Sequence, residues 1–269
     1  MLAGGREERP GEQGGRRDGR AVVPGEAAGE DEGPDRGDRA GPGVAPLTAA
    51  GTVTGMGQVH LERQGGVAVL TVDNPEVKNG LTPEMGAAIA DLCDEIDADP
   101  ALGAAVVRGA GGTFCSGADR RRWTAGADQA EDTVYKELGA VYSAFRRIGT
   151  LAVPTVAAVR GSAVGAGLNL ALSTDLRIVG AEARLLAGFL RIGLHPGGGY
   201  FTLSTRTAGR ETTAAMGLFS EEITGARAEE IGLAWRAVPD DEVEPLALEL
   251  AARAARDPEL AREAVRSFR

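Results

Sequence analysis

Thr155-Val156-Ala157-Ala158-Val159-Arg160-Gly161-Ser162-Ala163-Val164-Gly165-Ala166-Gly167-Leu168-Asn169-Leu170-Ala171-Leu172 is an apolar run, a glycine-rich turn and a second apolar run. The β-branched and alanine-rich residues 155–159 predict a buried strand, and residues 168–172 predict a helix. A turn of small residues between them exposes backbone N–H groups. The first N–H groups of a helix have no internal partner and sit at the positive end of its dipole, so the turn suits an anion or a developing oxyanion. A second reading is equally open here: Gly161, Gly165 and Gly167 permit only tight helix–strand packing. No Gly-Lys-Ser/Thr follows, and GxxxGxG is not the dinucleotide fingerprint, so neither phosphate-loop class applies.

Outward from this stretch, strands and helices alternate. On the N-terminal side, residues 66–72 (GVAVLTV) predict a strand ending at Asp73-Asn74-Pro75. Thr82 is placed to cap a helix with Pro83 at its first position. Met85, Ala88, Ile89, Leu92 and Ile96 then recur at helical spacing up to Asp99-Pro100. Residues 104–107 predict a second strand, followed by a loop over 109–113. An amphipathic helix is read from Val134, Leu138, Val141, Tyr142, Phe145 and Ile148. On the C-terminal side, residues 175–179 predict a strand, and His195-Pro196-Gly197-Gly198-Gly199 a turn. Helices are expected over 212–218, 226–231, 243–255 and 258–268. The pattern is one α/β domain with a helical C-terminal portion.

The chain has 269 residues, 43% of them hydrophobic, enough for a sizeable core. Its net charge of −10 and isoelectric point near 4.9 argue against nucleic-acid or anionic-membrane partners. Any anionic ligand must be held by local geometry. Lys78 and Lys136 are the only lysines, so phosphate contacts would fall mainly to arginine. Cys93 and Cys115 lack metal-site spacing and fit a reducing compartment. Residues 1–55, rich in Gly, Pro, Ala and mixed charge, are expected to be disordered, with the globular domain over 56–269 and Met56 as its natural start. Arg16-Arg17 is followed by no apolar segment of a signal sequence. No run reaches the roughly 20 apolar residues of a membrane span, so a cytoplasmic protein is the expectation.

Three separated motifs occur in order: Val67-Ala68-Val69-Leu70-Thr71-Val72 with Asn74-Pro75-Glu76-Val77-Lys78-Asn79-Gly80-Leu81, then Phe114-Cys115-Ser116-Gly117-Ala118-Asp119, then Arg160-Gly161-Ser162-Ala163-Val164-Gly165-Ala166-Gly167. Together they resemble the enoyl-CoA hydratase/isomerase (crotonase) superfamily, and Gly232-Leu233-Ala234 is similar to a later segment of that family. The resemblance runs from about residue 58 to the end. It implies an α/β spiral of ββα units, assembled as trimers or pairs of trimers, that binds an acyl-CoA thioester. CoA enters as part of the substrate, so no separate cofactor and no metal is implied. Two backbone N–H groups, of Ala118 and Ala166, would face the thioester oxygen, where enolate charge develops. Val77, Lys78 and Gly80 would lie along the nucleotide part of CoA. Ser116, Asp119, Arg120, Val164, Gly165, Phe189, Pro196 and Gly197 complete the implied substrate contacts. For the basic run Arg120-Arg121-Arg122, phosphate pairing and a solvated charged face are both open.

The chain also departs from that pattern. Asn169 and Phe189 occupy the positions of the two glutamates that hydratases of the family place around a catalytic water. A neutral amide can hold water but is no base near neutral pH, and a phenyl ring does neither. General acid–base help is worth about 10²–10⁴ per group, so ordinary hydration is expected to be severely impaired. The isomerase base also coincides with Phe189, and Gly197 lies near an aspartate of other members. His195 is the strongest substitute proton carrier, against the reading that it fixes its turn through a backbone hydrogen bond. For Asp119 structural pairing with the neighbouring arginines is the stronger reading, Tyr200 and Cys115 read as core, and His60 has no evident partner. The chain stops at Arg269, before further helices usual in the family, which would leave a more open pocket. Two functional readings follow: a family enzyme with changed chemistry, or an acyl-CoA-binding protein that kept the cradle without catalysis. A partner-interaction protein on the same scaffold is the remaining one.

Overall fold

The computed structural model describes residues 49–51, 57–121 and 131–269. The rest of the expected tail, Met56 and Arg122 of the basic run lie outside the described residues. Within the expected tail, Ala49–Gly51 forms a strand, β1, antiparallel to β2 (Gln58–Gln64). There an open edge of β2 supplies backbone partners that local composition cannot foretell.

β2 pairs antiparallel with β3 (Val67–Asp73), the expected strand over 66–72. α1 (Pro83–Ala98) follows, and Thr82 caps it as read, its hydroxyl accepting from the Met85 N–H at 3.2 Å. Next come β4 (Ala104–Gly109) and α2 (Glu131–Gly149). β5 (Thr155–Val159), β6 (Ser162–Val164) and α3 (Ala166–Leu172) realise the central strand, turn and helix. β7 (Leu176–Gly180), β8 (Arg184–Leu186) and α4 (Tyr200–Leu218) come next, α4 being interrupted at Gly209, whose φ is +79°. The chain continues through β9 (Glu222–Thr224), α5 (Gly225–Glu230), β10 (Arg236–Val238), α6 (Val243–Ala254) and α7 (Pro258–Phe268).

Seven strands form one sheet in the order β1-β2-β3-β4-β5-β7-β10, parallel from β3 onward. Parallel neighbours need a crossover, which α1 supplies between β3 and β4, and α2 between β4 and β5. Both faces are buried at β3, β4, β5 and β7, which explains these near-continuous apolar strands. Val67 and Val69 join Val106, Val156 and Ile178 under α6, packed by Val243, Ala247 and Ala251. The alternate residues Ala68, Leu70 and Val72 face the other way, toward Ile89, Ile96 and Ile148 of α1 and α2. Those two helices cross closely at Gly86, where an added Cβ would stand 2.6 Å from the Ala140 carbonyl oxygen.

A second tier of pairing runs beside the large sheet. Leu81 bridges Ala118, Cys115 bridges Ala163 of β6, β6 pairs with β8, and β8 with β9. Each turn of the chain therefore contributes one strand to the large sheet, a short strand or single bridge to the second tier, and then a helix. Examples are β4, Cys115 and α2, then β5, β6 and α3, then β7, β8 and α4. This is the spiral of ββα units that the sequence motifs implied. Its consequence is geometric: the turns that follow the second-tier strands are stacked and open to the same side.

Candidate active site

Three stacked turns form the site, beginning with residues 115–119. Leu81 N–H donates to the Gly117 carbonyl and Asp119 N–H to the Leu81 carbonyl, both at 2.8 Å. In such a bridge the intervening residue directs its own N–H to the opposite side, so that of Ala118 points away from Leu81. Gly117 allows the turn with φ +112°. Ser116 fixes its start: its N–H donates to the Lys78 carbonyl at 3.0 Å and its hydroxyl to the Val77 carbonyl at 2.5 Å.

The second turn joins β6 to α3. Gly165 adopts φ +53°, ψ −113°, and its N–H donates to the Leu186 carbonyl at 2.9 Å. Ala166 is the first residue of the helix, so its N–H has no carbonyl one turn back to bond. The two turns touch: a Cβ added to Gly117 would lie 3.0 Å from the Val164 oxygen and 3.8 Å from the Ala166 nitrogen.

The third turn, residues 187–195, supplies the outer wall. These turns and α2 enclose a cavity of about 210 Å³, lined by Ser116, Gly117, Ala118, Arg120, Leu138, Tyr142, Val164, Gly165, Ala166, Leu186, Ala187, Gly188, Phe189, Arg191, Ile192, Leu194 and His195. The lining is mostly apolar, and its ionisable side chains among the described residues, Arg120, Arg191, Tyr142 and His195, include no carboxylate.

Of the expected site residues, Ser116, Ala118, Arg120, Val164, Gly165, Ala166, Phe189 and His195 thus meet at one cavity. Val77, Lys78 and Gly80 stand behind Ser116 instead of on the cavity wall. Asp119 is also off the wall. Its carboxylate is buried and held by Arg121 at 2.8 Å, which reaches on to Glu76 at 3.1 Å. Asn169 is fully buried in α3, and its Nδ2 donates to the Gly197 carbonyl at 2.9 Å. It is absent from the lining, as are Pro196 and Gly197.

Phe189 is 7% exposed and packs against Tyr200 with ring centres 5.7 Å apart. Tyr200 is core, and burial raises its hydroxyl above the ordinary tyrosine range. Cys115 is also core, its thiol pushed up to about 12 by burial. The exposed imidazole of His195 meets Phe201 edge-on at 6.1 Å and makes no side-chain hydrogen bond among the described residues. Its turn is therefore held by Asn169, not by the histidine. His60, expected to lack a partner, lies 3.4 Å from Asp73.

Leu138, Tyr142, Leu186, Arg191, Ile192 and Leu194 were not legible as site residues. Leu138 and Tyr142 carry helical periodicity that serves a core and a cavity wall alike. The others lie in a segment without local motif.

Stacked turns around an apolar cavity, with main-chain amides at its edge and two-tier ββα winding, define the class of α/β protein to which this chain belongs. Residues 62–268 match the family model described as enoyl-CoA hydratase/isomerase, and the chain belongs to that family. It is similar to the Mycobacterium tuberculosis protein named "Probable enoyl-CoA hydratase EchA14", with 42% identity over 193 residues, covering 71% of this chain and 73% of that one. It is 30% identical over 200 residues to the Escherichia coli 1,2-epoxyphenylacetyl-CoA isomerase, covering 74% and 76% of the two chains. Among solved structures, an enoyl-CoA hydratase from Polaromonas sp. JS666 superposes with a TM-score of 0.70 at 27% identity, covering 73% of this chain and 77% of that one. No helix among the described residues is long and apolar enough to cross a membrane.

Proposed function

We propose that this chain binds an acyl-CoA thioester in the 210 Å³ cavity and stabilises the thioester enolate through the N–H groups of Ala118 and Ala166. The observation that carries this is the meeting of their two turns at the edge of one apolar cavity. Two donors fixed by the backbone need no reorganisation when charge develops on the oxygen. The loss of one such donor typically costs about 2.7–4 kcal/mol in transition-state stability. Leu138, Leu186, Phe189 and Leu194 receive the acyl group, and Arg120 is an exposed cation at the rim for a CoA phosphate.

Ordinary two-carboxylate hydration is not the reaction proposed. Phe189 presents a ring where a proton-transfer group would be needed, and the Asn169 amide is turned to Gly197. His195 is the proton carrier in this reading, supported by its place on the cavity and its exposed imidazole. The protein works as a cytoplasmic homo-oligomer, a trimer or hexamer. The exposed Phe219 and Trp235, at 80% and 57%, are apolar surface suited to such contacts. The apolar lining, without a carboxylate among the described residues, supports a second reading, a non-catalytic acyl-CoA carrier.

Thermal-shift titration against CoA thioesters (enoyl, β-hydroxy and malonyl types), with mass analysis of every stabilising compound, separates these readings. Stabilisation with conversion is expected for the enzyme, and stabilisation without conversion for the carrier. Hydration of a simple enoyl-CoA at ordinary family rates contradicts the treatment of Asn169 and Phe189. No stabilisation by any thioester removes the proposal.

A further inference from the structure

Asn169 carries an asymmetry that its burial makes consequential. Its Nδ2 donates to the Gly197 carbonyl at 2.9 Å, whereas its buried Oδ1 has no hydrogen-bond partner among the described residues. Turning the amide over would set Oδ1 against the Gly197 carbonyl oxygen, two acceptors with no hydrogen between them. The same carbonyl accepts from the Tyr200 N–H at 3.2 Å, so α3 and the start of α4 are both tied to it.

Gly197 is two residues beyond His195, and the connection has little slack. Pro196 is buried. A Cβ at Gly197 would stand 2.3 Å from the Tyr142 hydroxyl, and one at Gly198 2.7 Å from Asn169 Nδ2. The loop is thus pressed onto α2 and α3 with one side-chain donor at its centre.

We propose that Asn169 is a positioning residue for His195: its amide pins the Gly197 carbonyl and thereby sets where the imidazole stands at the cavity mouth. The chemistry asks for a donor at position 169. An ionised carboxylate there has no hydrogen to offer and would meet the carbonyl dipole oxygen to oxygen. The loop geometry of this chain and the amide at 169 accordingly belong together. For its bearing on the reaction the inference rests on the reading of His195 as proton carrier, but the coupling itself is measurable without turnover.

The chain has two histidines, His60 and His195, so the full-length protein labelled at histidine gives one ring signal for each by NMR. His60, on β2 beside Asp73, is the internal reference. Asn169→Ala and Asn169→Asp remove the donor. Gly198→Ala breaks the same contact from the loop side, at φ +61°, and leaves the buried amide in place. In all three the His195 signal is expected to shift and broaden while His60 is unmoved. The shift that butyryl-CoA induces at His195 in the unaltered protein is expected to be lost. A His195 signal that coincides with the unaltered protein's in Gly198→Ala and in either folded Asn169 variant overturns the inference. If the unaltered protein binds butyryl-CoA while His195 stays put in the variants, the coupling fails and the thioester reading stands. If no thioester binds but His195 moves, the reverse holds.

Discussion

A Cβ placed on Gly167 would stand 2.2 Å from the carbonyl oxygen of Cys115, so the first turn of α3 and the first site turn are in direct backbone contact. That contact sets the separation of the Ala118 and Ala166 amides. Gly167→Ala must therefore move one turn or the other, and acyl-CoA binding measured by calorimetry is expected to fall at least tenfold, with a lowered Tm. Gly139 on α2 is the contrast, being exposed with nothing within 4 Å of an added Cβ. Gly139→Ala is expected to gain up to about 1 kcal/mol in urea unfolding from helix propensity, with binding unchanged.

Asn79 anchors the loop behind Ser116. It is 1% exposed with φ +61°, donates to the Ala110 and Thr113 carbonyls, and accepts from the Asn74 N–H at 2.9 Å. Asn79→Ala leaves the buried Asn74 N–H and the part-buried Ala110 and Thr113 carbonyls without this partner, and loses a side chain that tolerates a left-handed backbone. Unfolding free energy is expected to drop by about 2–4 kcal/mol, the buried Asn74 N–H costing roughly 1–3 kcal/mol when unpaired and the part-buried carbonyls, which water can reach, adding less. Ser116, hydrogen-bonded to the same loop at Val77 and Lys78, is expected to be displaced, so thioester affinity falls in protein that remains folded.

Phe189 lines the cavity and is expected to limit the acyl group. Phe189→Ala removes a ring that is 7% exposed and packed on Tyr200, and is expected to cost about 3–5 kcal/mol. The enlarged cavity is expected to favour bulkier acyl chains, read as a reversed order of affinity between butyryl-CoA and phenylacetyl-CoA. An unchanged order would show that the ring does not bound the ligand.

Burial pushes both thiols, Cys93 and Cys115, up from an ordinary 9.0 to about 12. A group whose folded value is raised contributes stability that is intact below its unfolded value and is lost as pH climbs toward the folded one. Stability to urea is therefore expected to decline between about pH 9 and about pH 12, and less steeply in Cys93→Ala or Cys115→Ala. At pH 8, iodoacetamide is expected to leave both thiols unmodified in the folded protein and to alkylate both after unfolding.

β3, β4, β5 and β7 and the helices α1 and α2 were legible because β-branched runs, helical spacing and the Thr82-Pro83 start are local properties, whereas β2 and β10 of the same sheet were not read as strands. The two small-residue turns were legible too, since close backbone approach at Gly117 and Gly167 and the positive φ of Gly165 exclude larger side chains. The second tier of pairing was not: β6, β8 and β9 are three residues each, too short for a periodic signal, and exist because a neighbouring turn of the spiral offers partners. Arg191, Ile192 and Leu194 were hidden for a related reason, lying in a connection whose path is set by what it packs against.

What the sequence alone determined is the alternating α/β pattern and the resemblance, and with the resemblance the expectation that Asn169 and Phe189 stand in place of two acids. Only the tertiary structure decided that Ala118 and Ala166 border one cavity, that Asp119 is occupied by Arg121, and that Asn169 turns its amide to Gly197 instead of to the cavity. The physical reason is that identity fixes which groups can donate or accept, whereas direction and distance depend on segments far apart in the chain being packed together.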